Sequence, residues 1–218
     1  LAVDASFLPI INRALSQLGR SVITSAQLTT PDNKQSRLVD REFTAHLDAL
    51  VEDHPWKLFI HRTTLSENVV APEWGFEHAY DLPNGTVPAS YPYCVRLLEI
   101  NDTIVWGWNL YTGWTVGSHQ YLRWRVEERQ ILIDIADTLD IRYIGRPADA
   151  SNFTGQFREI LALYLAVAWA ESLTAAEGLS DRLERRLNVM LQEARTIDSM
   201  NDREEPFRTT SWLAERIT

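Results

Sequence analysis

Between Phe153 and Ala176 lies a helix that no single neighbour can cover. Phe153, Phe157, Ile160 with Leu161, Tyr164, and Val167 with Ala168 recur every three to four residues, the spacing of one helical face. The opposite side carries Leu163, Ala166 and Ala170, and no charged residue falls between Glu159 and Glu171. A helix that is apolar nearly all round must be enclosed on several sides, so this one is expected at the centre of a bundle. The stretch that follows is an ordinary amphipathic helix. Leu179, Leu183, Leu187, Met190 with Leu191, Ala194 and Ile197 form its stripe, and Arg182, Glu184, Arg185, Arg186 and Glu193 take the wet side. Glu177 and Gly178 allow a tight reversal between the two, and Ser180 and Asp181 suit a first helical turn. The product is an antiparallel helical hairpin that needs further helices.

The N-terminal third supplies them. Asp4 or Ser6 caps a short helix with apolar positions at Phe7, Ile10, Ile11, Ala14, Leu15 and Leu18; Pro9 is tolerated near its start and Gly19 ends it. Residues 21–31 read as a loop whose Val22, Ile23 and Leu28 plug onto the bundle. A longer helix begins at Asp32 or Asn33 and runs to Asp53, burying Leu38, Phe43, Leu47, Leu50 and Val51. His54-Pro55 stops it, because proline disfavours a helical residue before itself. Trp56 and Phe59 follow at once and are expected to fill the hinge.

From Lys57 to about Gly145 the character changes to aromatics, Val, Ile and turn residues, with no long helical stripe. Lys57 to Leu65 suits a strand or a continued helix. Asn84-Gly85 signals a turn. Tyr93 to Ile100, Ile104 to Leu110, Gln120 to Val126 and Ile131 to Ile135 read as strands in hairpins or a meander. Leu122, Trp124 and Val126 are expected to face inward, against Arg123, Arg125 and Glu127 outside. Ile141, Tyr143 and Ile144 make a brief return toward the helices. After Ser199 periodicity fades, and residues 201–218 read as an extended polar arm with isolated large apolar anchors.

The expected fold is therefore α+β. N- and C-terminal helices (1–56 together with 150–200) build one helical bundle, residues 57–149 form an inserted β-rich subdomain, and 201–218 form a C-terminal arm. A chain of 218 residues buries roughly 70% of its unfolded surface, so it needs no staple. Its one cysteine, Cys94, lies in an alternating apolar run that favours a buried, inert thiol. The apolar run at 160–170 is too short and too tightly flanked to span a membrane, and no basic leader precedes an apolar core. The Asn-x-Thr triplets at Asn84, Asn101 and Asn152 are read as chance.

The residues that carry chemistry elsewhere do not gather here. Asp134, Asp137 and Asp140 are spaced by three but lack the glycine and bidentate glutamate of a calcium loop. His46, His54, His61, His78 and His119 never approach a metal-ligand spacing. Gly107 and Gly113 do not make a phosphate loop. No catalytic residue, cofactor or metal is assigned, and the chain is read as a non-enzyme. The net charge of −9 argues against a general nucleic-acid surface, while leaving room for a passage through which DNA slides without sticking. Six of the eight tryptophans, Trp56, Trp74, Trp106, Trp108, Trp114 and Trp124, cluster in or beside the β-rich part; Trp169 and Trp212 lie in the last third. Stacking on bases or sugars needs a basic floor that this chain does not supply, so core and subunit-interface use fits them better.

Three stretches together resemble the tail tubular protein A family of short-tailed phages. The run Ile10 to Val22, with Asn12, Leu15 and Gly19, is similar to that family's opening helix and the short apolar clause after it. His54-Pro55-Trp56-Lys57-Leu58-Phe59, with Arg62, resembles a second family segment. Glu73-Trp74-Gly75-Phe76-Glu77-His78-Ala79-Tyr80-Asp81-Leu82-Pro83 resembles the third and most specific, in the expected order. Tyr143 to Arg146 and the alanine-rich helix from Phe157 to Ala176 extend the likeness. Where the family has Asp-Cys after Leu-Pro, this chain has Asn84-Gly85-Thr86-Val87, which suggests a rearranged β edge.

The resemblance implies a head-to-tail adaptor: a ring, generally of twelve copies, fixed below the portal protein and holding the tail nozzle or tube, with DNA only as passing cargo and no membrane. It places the protein in the neck of a virion, assembled in the host cytoplasm. Phe207, Arg208, Trp212, Leu213 and Arg216 are the candidate anchors on the portal or on a neighbouring subunit. The alternative reading is a monomeric carbohydrate- or nucleic-acid-binding module that uses the tryptophans of the β-rich part.

Overall fold

The computed structural model describes residues 3–68, 70–85, 91–101, 103–104, 123–134, 138–174 and 178–200. Asp4 accepts a hydrogen bond from the Ser6 amide (2.8 Å) and caps a single 3-10 turn, Ala5–Phe7, that runs into α1 (Leu8–Gln17). Pro9 sits in the first turn of α1, where its missing N–H is no loss. Gly19, at φ +66, closes the helix: the Arg20 amide reaches back to the Leu15 carbonyl (2.9 Å) and the Gly19 amide to Ser16 (3.0 Å). That paired pattern satisfies carbonyls the helix end would otherwise leave bare.

Residues 21–31 are not only a loop. They contain α2 (Ser25–Thr29), started by a capping box in which the Gln27 side chain accepts from the Thr24 amide (3.0 Å). Ile23 and Leu28 are buried as plugs, but Val22 is 59% exposed. Asn12 holds this segment on α1, donating to the Ile23 carbonyl (2.9 Å) and accepting from its amide (2.8 Å). With the Ile23 backbone turned to Asn12 and its side chain inward, neighbouring Val22 is left outside.

Asn33 caps α3 (Lys34–Asp53), accepting from the Ser36 amide at 2.8 Å. Leu38, Phe43, Leu47, Leu50 and Val51 are buried along it. Past His54-Pro55 the Trp56 indole donates to the Leu50 carbonyl (3.1 Å), and a 3-10 turn, Lys57–Phe59, leads directly into β1 (Ile60–Leu65).

Thr154 caps α4 (Gly155–Leu173), accepting from the Phe157 amide at 3.2 Å. The helix packs against α1, α3 and α5 (Leu179–Met200). Its buried residues go almost all the way round and include Ile160, Leu161, Leu163, Leu165, Ala166 and Trp169, whereas Tyr164, Val167 and Ala168 are only half-buried. Near its start the rings of Phe7, Phe43, Trp56, Phe59, Phe153 and Phe157 interlock, with centroids 4.9 to 5.8 Å apart, mostly edge to face. Gly178, at φ +73, precedes α5, which buries Leu183, Leu187, Leu191 and Ala194.

The intervening chain forms two antiparallel sheets. The larger has the order β1, β7 (Leu139–Gly145), β3 (Cys94–Ile100), β4 (Thr103–Ile104); the smaller has the order β2 (His78–Asp81), β6 (Gln130–Ile133), β5 (Trp124–Glu127). Strand alternation, shifted in β3 by irregularities between Cys94 and Arg96 and between Leu97 and Glu99, gives the larger sheet two apolar faces. Ile60, Leu98 and Ile144 join the helical core. Leu65, Ile100, Leu139, Ile141 and Tyr143 face the other way and share a second core with Tyr80, Ile131 and Ile133 of the smaller sheet. The fold is thus α+β, with terminal helices and a β part inserted between them.

The segment 139–145 is more than a brief return: it is an inner strand, paired with β1 from Ile60↔Ile144 to Leu65↔Leu139 and with β3 on its other side. Gly145 at its end is required by space. A Cβ there would stand 2.6 Å from Pro92 Cγ and 2.7 Å from His61 Cδ2. The expected inward face of the fifth strand is only partly so. Trp124 is half-buried, Val126 is 41% exposed beside exposed Arg125 and Glu127, and Leu122 lies outside the described residues. The cause is position: β5 is an edge strand, and its neighbour β6 supplies the buried Ile131 and Ile133.

Candidate assembly surfaces

Sheet and helices are locked together by polar contacts. Arg146, just after β7, pairs with Asp48 of α3 (Nε to Oδ1, 2.6 Å), and the hydrogen bond to that carboxylate raises the guanidinium's pKa further. Arg96 of β3 donates to the Glu52 carbonyl (2.7 Å). Within the bundle, Glu159 of α4 receives both Arg13 of α1 and Arg186 of α5, the latter at 3.1 Å. These bonds leave the outer surfaces, rather than the joints, as the places for a partner.

The candidate anchors Phe207, Arg208, Trp212, Leu213 and Arg216 lie outside the described residues. The end of α5 is held by polar contacts. Near the end of α5, Asp198 meets His54 Nε2 (3.2 Å) and accepts from the Lys57 amide (3.3 Å), while the Lys57 ammonium reaches the Asp198 carbonyl. Arg195 pairs with Asp53. Beside this clasp a groove of about 160 Å³ runs between α4 and α5, with Trp56, Leu58, Phe157, Ile160, Ala194 and Ile197 as apolar lining and Thr154, Gln156 and Asp198 as polar lining. Ile197, expected in the buried stripe, is 51% exposed at this groove.

The segment between β1 and β2 makes a second surface. Trp74 is 82% exposed, and Val70 is exposed near it in sequence. The loop beneath is braced rather than loose. Arg123 lies over the Phe76 ring (4.7 Å), donates to the Gly75 carbonyl and pairs with Asp134 (2.8 Å), which also accepts from the Glu77 amide (3.3 Å). Gly75, at φ +89, makes the turn. The tryptophans therefore divide: Trp56 and Trp169 are core, Trp124 is half-buried, Trp74 is displayed, and Trp106, Trp108, Trp114 and Trp212 lie outside the described residues.

A third surface is polar. Arg62 and Arg142 stand directly opposite each other on β1 and β7 and line a cleft of about 300 Å³ with Thr64, Glu99 and Asp140. Like charges so placed oppose pairing. Glu99 answers Arg142, and Thr64 donates to Asp140 at 2.6 Å. Among the described residues the Thr63 hydroxyl and Arg142 Nε are buried without a hydrogen-bond partner.

The candidate chemistry of the sequence is dispersed by the fold. Asp134 is engaged by Arg123, Asp140 by Thr64, and Asp137 lies outside the described residues. Among the described residues no three His, Cys, Asp or Glu side chains converge as a metal site would require, and no helix is long and apolar enough to cross a membrane. Burial pushes the Cys94 thiol up to about 12, which removes the thiolate a nucleophile needs. Burial likewise raises the Tyr143 phenol and lowers the His61 imidazole. No model of a known protein family matches this chain, and no curated protein matches it either.

Proposed function

We propose that this protein is a non-enzymatic, structural head-to-tail adaptor of a tailed phage, a ring of copies between portal and tail through which DNA passes. The observation that carries the reading is the pairing of a rigid body with large apolar side chains left outside in separate parts of it. Trp74 is displayed from a braced loop of the β part, and Ile197 and Met200 are exposed at the end of α5. Exposed aromatic and aliphatic anchors on a stiff scaffold are what an assembly subunit presents to its neighbours. Two different patches favour side-by-side, heterologous contact, the geometry that closes rings. The resemblance of residues 10–22, 54–59 and 73–83 to the tail tubular protein A family supplies the twelve-fold copy number, the portal and tail partners, and the place in the virion neck.

In this reading Phe207, Trp212 and Leu213 anchor the chain on a neighbour or on the portal, aided by Arg208 and Arg216. Truncation after Ser199, assayed for attachment to portal-bearing capsids and for ring formation in parallel, is expected to abolish attachment with an unchanged helical spectrum. Undiminished attachment removes the anchor role. The exposure of Trp74 also suits a carbohydrate-stacking module. The segment 66–77 around it holds Glu67, Glu73 and Glu77 and no Lys or Arg, which disfavours nucleic acid. Mass photometry of the pure protein separates an assembling subunit from a monomer that retains a sugar.

A further inference from the structure

We propose that the polar cleft on the larger sheet binds a small α-amino acid, with Arg62 and Arg142 taking its carboxylate and Asp140 its ammonium. The cleft measures about 300 Å³, the small end of the range for ligand pockets. Arg62 makes no ion pair or hydrogen bond among the described residues. Arg142 donates from Nη1 to Glu99, while its Nε is buried without a hydrogen-bond partner among them. Nε and Nη2 together form the edge with which a guanidinium grips a carboxylate, as Arg146 grips Asp48. On Arg142 that edge makes no hydrogen bond among the described residues. A buried charged donor left unmatched is costly, and Arg62, directly opposite on β1, brings a second positive charge to the same face. A carboxylate held by both arginines answers both costs.

Glu99 and Asp140 line the same cleft, so a bare anion is not its complement. Glu99 is answered by Arg142. Asp140 accepts the Thr64 hydroxyl on Oδ1 (2.6 Å) and has no ion pair among the described residues, which leaves Oδ2 to accept from an ammonium. The cleft therefore offers donors for a carboxylate at one end and an acceptor for a cation at the other. The Thr64↔Asp140 pair lies two residues along from the Arg62↔Arg142 pair, about 7 Å at roughly 3.4 Å per residue. A hydrogen bond at each end takes about 3 Å of that span, so the two charges of the ligand must sit close together, as they do on an α-amino acid. The site is independent of the adaptor reading, and its failure leaves that reading untouched.

The test is a titration of the full chain with glycine, acetate and methylammonium at constant ionic strength, followed by NMR at the Arg142 Nε–H signal, which is assigned by its absence from Arg142→Lys. Glycine is expected to shift that signal saturably, with half-saturation at a concentration about tenfold or more below that of either single-charge ion. Arg62→Gln and Asp140→Asn should each raise the glycine half-saturation by about tenfold or more, with circular-dichroism melts close to the parent's. Arg62→Lys, which keeps the charge and loses the fork, should weaken binding less than Arg62→Gln. If Asp140→Asn fails to fold, the comparison of the three probes on the parent decides alone. Acetate binding as tightly as glycine removes the part given to Asp140 and overturns the proposal. So does the absence of a saturable shift, and so does a glycine titration that Arg62→Gln leaves unchanged.

Discussion

Replacing Phe157 by alanine removes the ring on which the two halves of the bundle close. Phe157 is buried, and its ring meets those of Trp56, Phe59 and Phe153 edge to face at centroid distances of 5.4, 4.9 and 5.0 Å. Truncating a buried phenylalanine costs about 3 to 5 kcal/mol. Three aromatic contacts, each worth roughly 0.5 to 1.5 kcal/mol beyond area burial, put this site at the upper end of that range. In a chain of this size each kcal/mol moves the melting temperature by about 2 to 4 °C, so Phe157→Ala should melt at least about 6 °C lower and as much as about 20 °C lower. Trp124→Ala is the internal control: it sits half-buried on an edge strand, and should cost about 1 to 2 kcal/mol, less than the burial range. Urea unfolding followed by far-ultraviolet circular dichroism measures both. A loss under about 1 kcal/mol at Phe157, or a larger loss at Trp124 than at Phe157, refutes the placement of the core.

Further consequences follow from single sites. Gly145→Ala forces a methyl against Pro92 and His61, and is expected to cost about 1 to 3 kcal/mol by urea titration, the range for overpacking; an unchanged midpoint shows that this corner yields. Cys94 should resist a thiol reagent at pH 8 in the native protein and react fully in denaturant, because burial holds its proton on; native labelling at the denatured rate contradicts its burial. His61 has its pKa lowered by burial, so the unfolded chain binds its proton more readily than the native one. Its contribution to stability is complete above about pH 6.5 and is lost as pH falls through the native value. A native imidazole NMR titration with its midpoint at or above 6.5 reverses that sign.

The helices were legible because their signals are local. Asn33 caps α3 and His54-Pro55 ends it, Asp4 and Gly19 bracket the first helical segment, and the absence of charge from 160 to 170 places α4 at the centre without reference to any partner. The short helix α2 falls in a stretch that reads as a loop, because five residues are too few for periodicity to register. The sheets were harder, since what a strand buries depends on which strand lies beside it. No strand is read from the sequence between Leu65 and Tyr93, yet Tyr80 and Asp81 pair with Ile131 and Gln130 as β2. Val126 alternates correctly but belongs to an edge. The display of Trp74 depends on Arg123 and Asp134, far later in the chain, and no local pattern around Trp74 announces it. The Arg62 and Arg142 face is hidden for the same reason, because only the register of β1 on β7 sets the two residues opposite each other.

Electron cryomicroscopy of the purified protein bound to portal-bearing capsids decides whether this chain forms an adaptor ring at a portal. A closed ring coaxial with the portal is expected, with copies in contact side by side and a constriction that is net acidic or neutral, consistent with 30 acidic against 21 basic residues and with a duplex that must slide. A protein that stays monomeric and unbound beside intact portals, or a ring whose constriction is a continuous belt of Lys and Arg, contradicts it.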